Sequence, residues 1–174
     1  MDTVTADELA SEVRSLLSGL PCWRVGLAFG SMVYFDFGKR VSAPLPRDRF
    51  AVMGEATVWL NADDWVIEYD GTVLARSDDI DRETAENELS PRFAGEGFEH
   101  LVLGSTRIAI KFTGGLSATA WRPEDAEIEP DEDLVTISLP DGRIAKFTAA
   151  SGLVLSKDVD EVRATEYRKA RGVL

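Results

Sequence analysis

Apolar positions along the 174-residue chain follow two periods. Near the start they keep helical spacing: Leu9, Val13, Leu16, Leu17 and Leu20 stand at i, i+4, i+7, i+8 and i+11. "TADE" precedes them as a capping box, in which Thr5 accepts from the third helical amide and Glu8 reaches back to the amide of Thr5. Gly19 and Pro21 close the run. The spacing predicts a helix over 5–19 that lays its leucine stripe on a sheet. At Trp23 the period falls to two. Trp23, Val25, Leu27 and Phe29 alternate with smaller or polar residues, and so do Val33, Phe35 and Phe37. The two runs read as a β-hairpin around "GSM". A three-residue turn over Gly30–Met32 sets Phe29 opposite Val33 and gathers the apolar set on one face; a two-residue turn splits it. Asp36 then points away from the phenylalanines, toward solvent or an edge. Gly38 and Lys39 end the strand, and "SAPLPRDR" reads as a proline-punctuated loop.

"GEATVWL" is the next strand, and "WVIEYDGTVLARS" a hairpin whose Asp70-Gly71 tip suits a type I′ turn. Residues 77–94 read as a middle helix capped by Ser77, interrupted near Pro91, with Ile80, Ala85 and Leu89 for burial. "FEHLVLGSTRIAIKFTGGLSATAW" resumes the alternation, with Ile108, Ile110 and Phe112 on one face. After the acidic loop "RPEDAEIEPDED", "LVTISLPDGRIAKFT" forms a second Asp-Gly hairpin with its tip at Asp141-Gly142. Acids first and bases last make residues 157–171 a C-terminal helix in register with its macrodipole, with Val159, Val162 and Tyr167 to bury.

The two β-rich stretches, about 22–76 and 98–156, echo each other. In both, a Gly-Ser is followed by an alternating strand that ends in Phe, a glycine, a loop and an Asp-Gly hairpin. Phe37 and Phe112 are 75 positions apart, Asp70 and Asp141 71 apart. Internal duplication of a β unit and chance similarity are both open. The expected fold is α+β. A single domain over 1–174 holds a largely antiparallel sheet, a sandwich or a half-open barrel, with N-terminal, middle and C-terminal helices.

Composition narrows the chemistry. The formal charge is −12, from 31 acids against 19 Lys and Arg, which disfavours a polyanionic nucleic-acid partner. No apolar run approaches the length of a membrane span, and the acidic start is unlike a secretory signal, so the cytoplasm is the expected compartment. Cys22 is the only cysteine and His100 the only histidine, which removes disulfides and multi-histidine zinc sites. "GLAFGSMV" lacks the lysine of a phosphate loop and opens a strand rather than a helix. The acids of "DDIDRETAENE" lack the central glycine of an EF-hand, and turn and cap duties account for them. Ser31 and Ser105 lie outside any nucleophile elbow. No cofactor or metal is expected.

Two candidate sites remain. Trp59, Trp65 and Trp121, with Asp36, are candidates for a ligand-binding cavity. The loop "EDAEIEPDED" packs seven carboxylates into ten residues, and its Glu127, Glu129, Asp131, Glu132 and Asp133 are candidates to meet a basic protein. The run "GSMVYFDFG", "GEATVWLNADDWVIEYDG", "SDD" and "LVTISLPDGRIAKF" resembles a set of small uncharacterised bacterial β-rich domains, some of which accompany toxin systems and are immunity-like. The resemblance spans roughly residues 22–155 and rests on structural motifs, so it carries over no active residue. It implies a β-rich binding or structural module. The acidic charge and the absence of catalytic sets make a non-catalytic protein-binding module, an immunity-type inhibitor of a basic toxin among them, the first expectation. The alternatives are a small-ligand-binding β domain with a Trp-lined cavity and a carboxylate-dependent hydrolase built on Asp36.

Overall fold

The computed structural model describes residues 6–28, 32–45, 49–62, 64–104, 106–122 and 132–156. Helix α1 (Ala6–Leu17) leads into β1 (Cys22–Leu27), β2 (Val33–Leu45), β3 (Arg49–Leu60), β4 (Asp64–Tyr69) and β5 (Thr72–Arg76). A helical segment follows, made of α2 (Arg82–Thr84), a π-helical turn (Ala85–Leu89) and α3 (Ser90–Phe93). Then come β6 (Phe98–Leu103), β7 (Arg107–Phe112), β8 (Leu116–Trp121), β9 (Asp133–Ser138), β10 (Ile144–Thr148) and β11 (Gly152–Ser156). All pairings among these strands are antiparallel. They make a first sheet, β1-β2-β3-β9-β10-β11, and a second, β5-β4-β8-β7-β6. No helix among the described residues is long and apolar enough to cross a membrane.

The two sheets face each other across one core. Val33, Phe35 and Phe37 of β2 meet Ile108, Ile110 and Phe112 of β7, all buried. Phe112 stacks on Phe37 with ring centroids 5.8 Å apart and lies 5.0 Å from Phe35. The β-rich antiparallel core is as the alternation predicts, and the sheets do not close into a barrel. The helices depart from expectation. Each sheet already covers the inner face of the other, so the helices take the sides: α1 packs on β6 and β11, and α3 with the π turn packs on β1. These three strands are sheet edges, where unpaired backbone invites association with other chains.

The two halves of the chain repeat the same pairing scheme. Replacing β1, β2, β3, β9 and β10 by β6, β7, β8, β4 and β5 turns the first five strands of the first sheet into the order of the second; β11 is extra. Registers agree residue by residue. Cys22↔Phe37 and Leu27↔Val33 correspond to Phe98↔Phe112 and Leu103↔Ile108, and both strand pairs are irregular at the same step. Val58↔Ile137 corresponds to Ala118↔Ile67, and Ile67↔Ala75 to Ile137↔Ala145. The correspondence reaches the helices: buried Val13 and Leu17 match buried Leu89 and Phe93, each 76 positions on. Gly19 (φ 82°) and Gly95 (φ 88°) then end both helices. Pro21 bridges Gly97, its own counterpart, as a local twofold axis requires. The stretches 22–76 and 98–156 are therefore not separate modules, because each lends a hairpin to the other's sheet.

Several local expectations are corrected. Leu27, not Phe29, pairs with Val33, and Ala28 N–H donates to the Met32 carbonyl at 2.8 Å. Each arm is thus shifted by one residue, which preserves the face of Leu27, Val33, Phe35 and Phe37; residues 29–31 lie outside the described set. Strand β2 does not stop at Gly38. It passes through a bulge at Gly38-Lys39 and takes in 42–45, read from sequence as loop. The middle helix is capped by Asp81, whose carboxylate accepts from Thr84 N–H at 2.8 Å, while Ser77 Oγ accepts from Trp65 N–H at 3.4 Å. Pro91 does not break this segment: it has no N–H to give, and the π turn sits just before it, so the missing bond falls in the first turn of α3. Strand β11 was not expected. Thr5 and the predicted helix over 157–171 lie outside the described residues.

Candidate functional site

Besides the extra strand β11, the repeat shows a large asymmetry among the described residues, on the outer faces of the sheets. Between the paired residues Val33 and Leu60 lie 26 residues, and between the equivalent pair Ile108 and Ala120 only 11. The β2–β3 hairpin is therefore 15 residues longer than its counterpart, which turns tightly through a 3-10 turn at Thr113–Gly115. Strand geometry shows where the excess goes. Met53 precedes Trp59 by six residues, which in a straight strand is about 20 Å. Yet Met53 and Ala51 form one buried cluster with Trp59 and Ala28, joined by Val41, Met32 and Tyr34. The distal arm has turned back over the outer face of the first sheet.

The turn is made at two glycines and one carboxylate. Gly38 takes φ 72° in the bulge. A Cβ on Gly54 would lie 2.6 Å from the Phe37 carbonyl oxygen and 2.7 Å from its nitrogen, so only glycine fits there. Asp36 sits fully buried beside it. Its Oδ1 accepts from Gly54 N–H at 2.9 Å and from Thr57 Oγ1 at 2.6 Å. Its Oδ2 accepts from Arg24 Nε at 2.7 Å, with Arg24 Nη2 at 2.5 Å. Arg24 Nη2 also donates to the Val52 carbonyl of the arm at 2.8 Å. Burial alone would lower the Arg24 pKa, but the charge and hydrogen bond of Asp36, with Tyr34 and Glu86, together outweigh it and the net shift is upward. Asp36 thus faces away from Phe35 and Phe37 as alternation requires, but toward a covered interior rather than solvent. With both oxygens engaged, it is a clamp.

Among the described residues, no segment covers the equivalent face of the second sheet in this way. Register places Thr119 where the first sheet has Trp59, and Ala109 where it has Tyr34. The smaller side chains leave an open groove of about 390 Å³. Val66 and Thr119 lie between Arg76 of β5 and Trp121 of β8, and Arg107 of β7 stands directly opposite Trp121. Val73 and Glu68 complete one end. Among the described residues neither Arg76 nor Arg107 makes an ion pair.

The sequence candidates are scattered relative to this groove. Trp65 is wholly buried in the central core, and Trp59 is buried under the arm, stacked on Tyr34 at 4.6 Å. Trp121 alone borders open space. Glu127, Glu129 and Asp131 lie outside the described residues. Glu132 accepts from both terminal nitrogens of Arg122, at 2.6 and 2.9 Å, which holds its pKa below the usual range. Asp133 pairs with Lys146. His100 is exposed opposite Lys111 on β6, and burial pushes the Cys22 thiol up to about 12. Among the described residues no group of His, Cys, Asp and Glu could hold a metal ion. The arginines of the groove were missed. Their faces were legible, since Arg107 alternates with Ile108 and Arg76 with Ala75, but which strands lie side by side was not. Compared with protein-family models, characterised proteins and solved structures, the chain finds no match.

Proposed function

We propose that this chain is a non-catalytic protein-binding module that meets its partner with the outer face of the second sheet. One observation carries the reading: five strands of each sheet share order and register, yet one outer face is closed by the chain's own hairpin arm and its equivalent is open among the described residues. The open groove falls within the volume range of ligand pockets, but it is spread across four strands rather than enclosed. That shape favours a segment of another protein over a small molecule. An immunity-type inhibitor is the member of this class that the sequence resemblance favours, and the arginines beside this groove point to a partner other than the basic one expected from the overall charge. The hydrolase alternative loses its support, because the Asp36 oxygens are engaged by Arg24, Gly54 and Thr57. We read the matched sheets as a duplication of one unit, a helix and five strands. After it, the longer first hairpin closed one face and left the other for binding.

A photocrosslinking residue at Val73, in the groove, tests this against one at Val154, which is exposed on β11 of the other sheet. In the native host, Val73 should yield one discrete crosslinked protein and Val154 none. That protein, purified, should bind the unmodified chain with defined stoichiometry. Equal labelling from both positions, or none from Val73, refutes the reading.

A further inference from the structure

We propose that the groove receives an extended segment of the partner in which apolar side chains alternate with carboxylates. The inference rests on the reading of this face as the binding surface and adds the chemistry of what binds. Charge is the first argument. The chain carries −12 overall, yet Arg76 and Arg107 flank the groove without an ion pair among the described residues, against a single lining acid, Glu68. On the face as a whole Lys111 adds a third cation, two residues from Ala109, and Asp64, the cross-strand partner of Trp121, a second acid. Cationic side chains gathered on one face of an acidic protein repel basic partners and steer acidic ones.

The shape of the occupant follows from the equivalent face. There, the cover is extended chain: Val41, Ala51 and Met53 of the arm lie on Tyr34 and Trp59, and the Val52 carbonyl accepts from Arg24. At the equivalent positions the second sheet has Ala109 and Thr119, the latter in the groove. The bulk that the first sheet supplies from its own face must here come from the ligand. An extended segment turns alternate side chains to one side. Large apolar residues at those positions fill the volume over Thr119 and Val66 and pack on Trp121. Carboxylates at the flanking positions reach the two guanidiniums.

Two blocked octapeptides test this, one alternating phenylalanine with glutamate and one alternating phenylalanine with lysine. Each is titrated into the full chain while the Trp121 indole N–H signal, assigned with Trp121→Phe, is followed by NMR. The glutamate peptide should shift that signal and bind at least about tenfold more tightly than the lysine peptide. The double variant Arg76→Glu/Arg107→Glu should reverse the preference while keeping its Tm, since both side chains are exposed. An unmoved Trp121 signal, equal affinity for both peptides, or a double variant that still prefers glutamate overturns the inference. Crosslinking separates this failure from that of the binding face. If Val73 captures a partner through a segment without carboxylates, the face stands and the acidic-segment inference falls. If Val73 captures nothing, both fall.

Discussion

Replacing Asp36 by asparagine should loosen the hairpin arm and leave the rest of the fold in place. The exchange keeps the shape of the side chain and its Oδ1, so the bonds from Gly54 N–H and Thr57 Oγ1 survive. What changes is the other atom. An amide nitrogen replaces Oδ2 and points its hydrogens at the Arg24 guanidinium, which loses two charge-assisted bonds. Removing one partner of a fully buried pair costs about 3–5 kcal/mol. Asp36 is fully buried, but the Arg24 side chain is 23% exposed and recovers some hydration, which brings the expected loss to about 2–3 kcal/mol. For a chain of this size that is a fall in Tm of roughly 4–12 °C. Urea unfolding, followed by fluorescence and by amide exchange at Gly54, gives both magnitude and place. Exchange at Gly54 should speed up more than exchange in β7. A variant within about 0.5 kcal/mol of the parent, with unchanged Gly54 protection, would show that the clamp does not hold the arm.

Three further outcomes concern the bend, the core thiol and an exposed ion pair. Gly54→Ala places a methyl within 2.7 Å of three backbone atoms and should cost about 1–3 kcal/mol by equilibrium unfolding; a neutral effect would mean the arm can shift at no cost. The Cys22 thiol should be silent to a disulfide reagent at pH 8 in the folded protein and react fully on unfolding. Because its pKa is raised by burial from 9.0 to about 12, its contribution to stability is complete below 9 and is lost as pH climbs toward 12; rapid native labelling would contradict this. Glu132 is shifted the other way by the bonds from Arg122, so its contribution is present above the free carboxyl value and lost as pH falls through the lower folded value. Glu132→Gln should flatten the acid limb of stability by at most about 1 kcal/mol, since the side chain is well exposed; a larger change would show that the Arg122–Glu132 pair acts as more than an exposed ion pair.

What could be read from sequence was local periodicity. The stripe of α1 delivers Val13 and Leu17 to the core, and Asp70 and Gly71 take the positive φ of 46° and 79° that their turn type requires. The parity of Leu27, Val33, Phe35 and Phe37 survived a wrong register, because a shift of one residue on each arm leaves faces unchanged. The same shift hid the clamp. With Phe29 opposite Val33, Asp36 would face Gly26; in the true register it faces Arg24. Gly38 was read as a strand end because a glycine with positive φ serves a bulge as well as a stop. The exchange of hairpins between sheets depends on β3 pairing with β9 and β4 with β8, contacts between residues far apart in the chain that no window of sequence contains. The groove inherits that limit, since its arginines come from strands β5 and β7.

Hydroxyl-radical labelling of the tryptophans tests most directly whether one of the two equivalent faces is closed and the other open. In the native chain Trp121 should be oxidised readily, while Trp65 in the core and Trp59 under the arm stay protected. In Asp36→Asn the protection of Trp59 should fall while that of Trp65 holds. Oxidation of Trp59 at the rate of Trp121 in the native chain would contradict the account, because the arm would then not close the face from which the open groove takes its meaning.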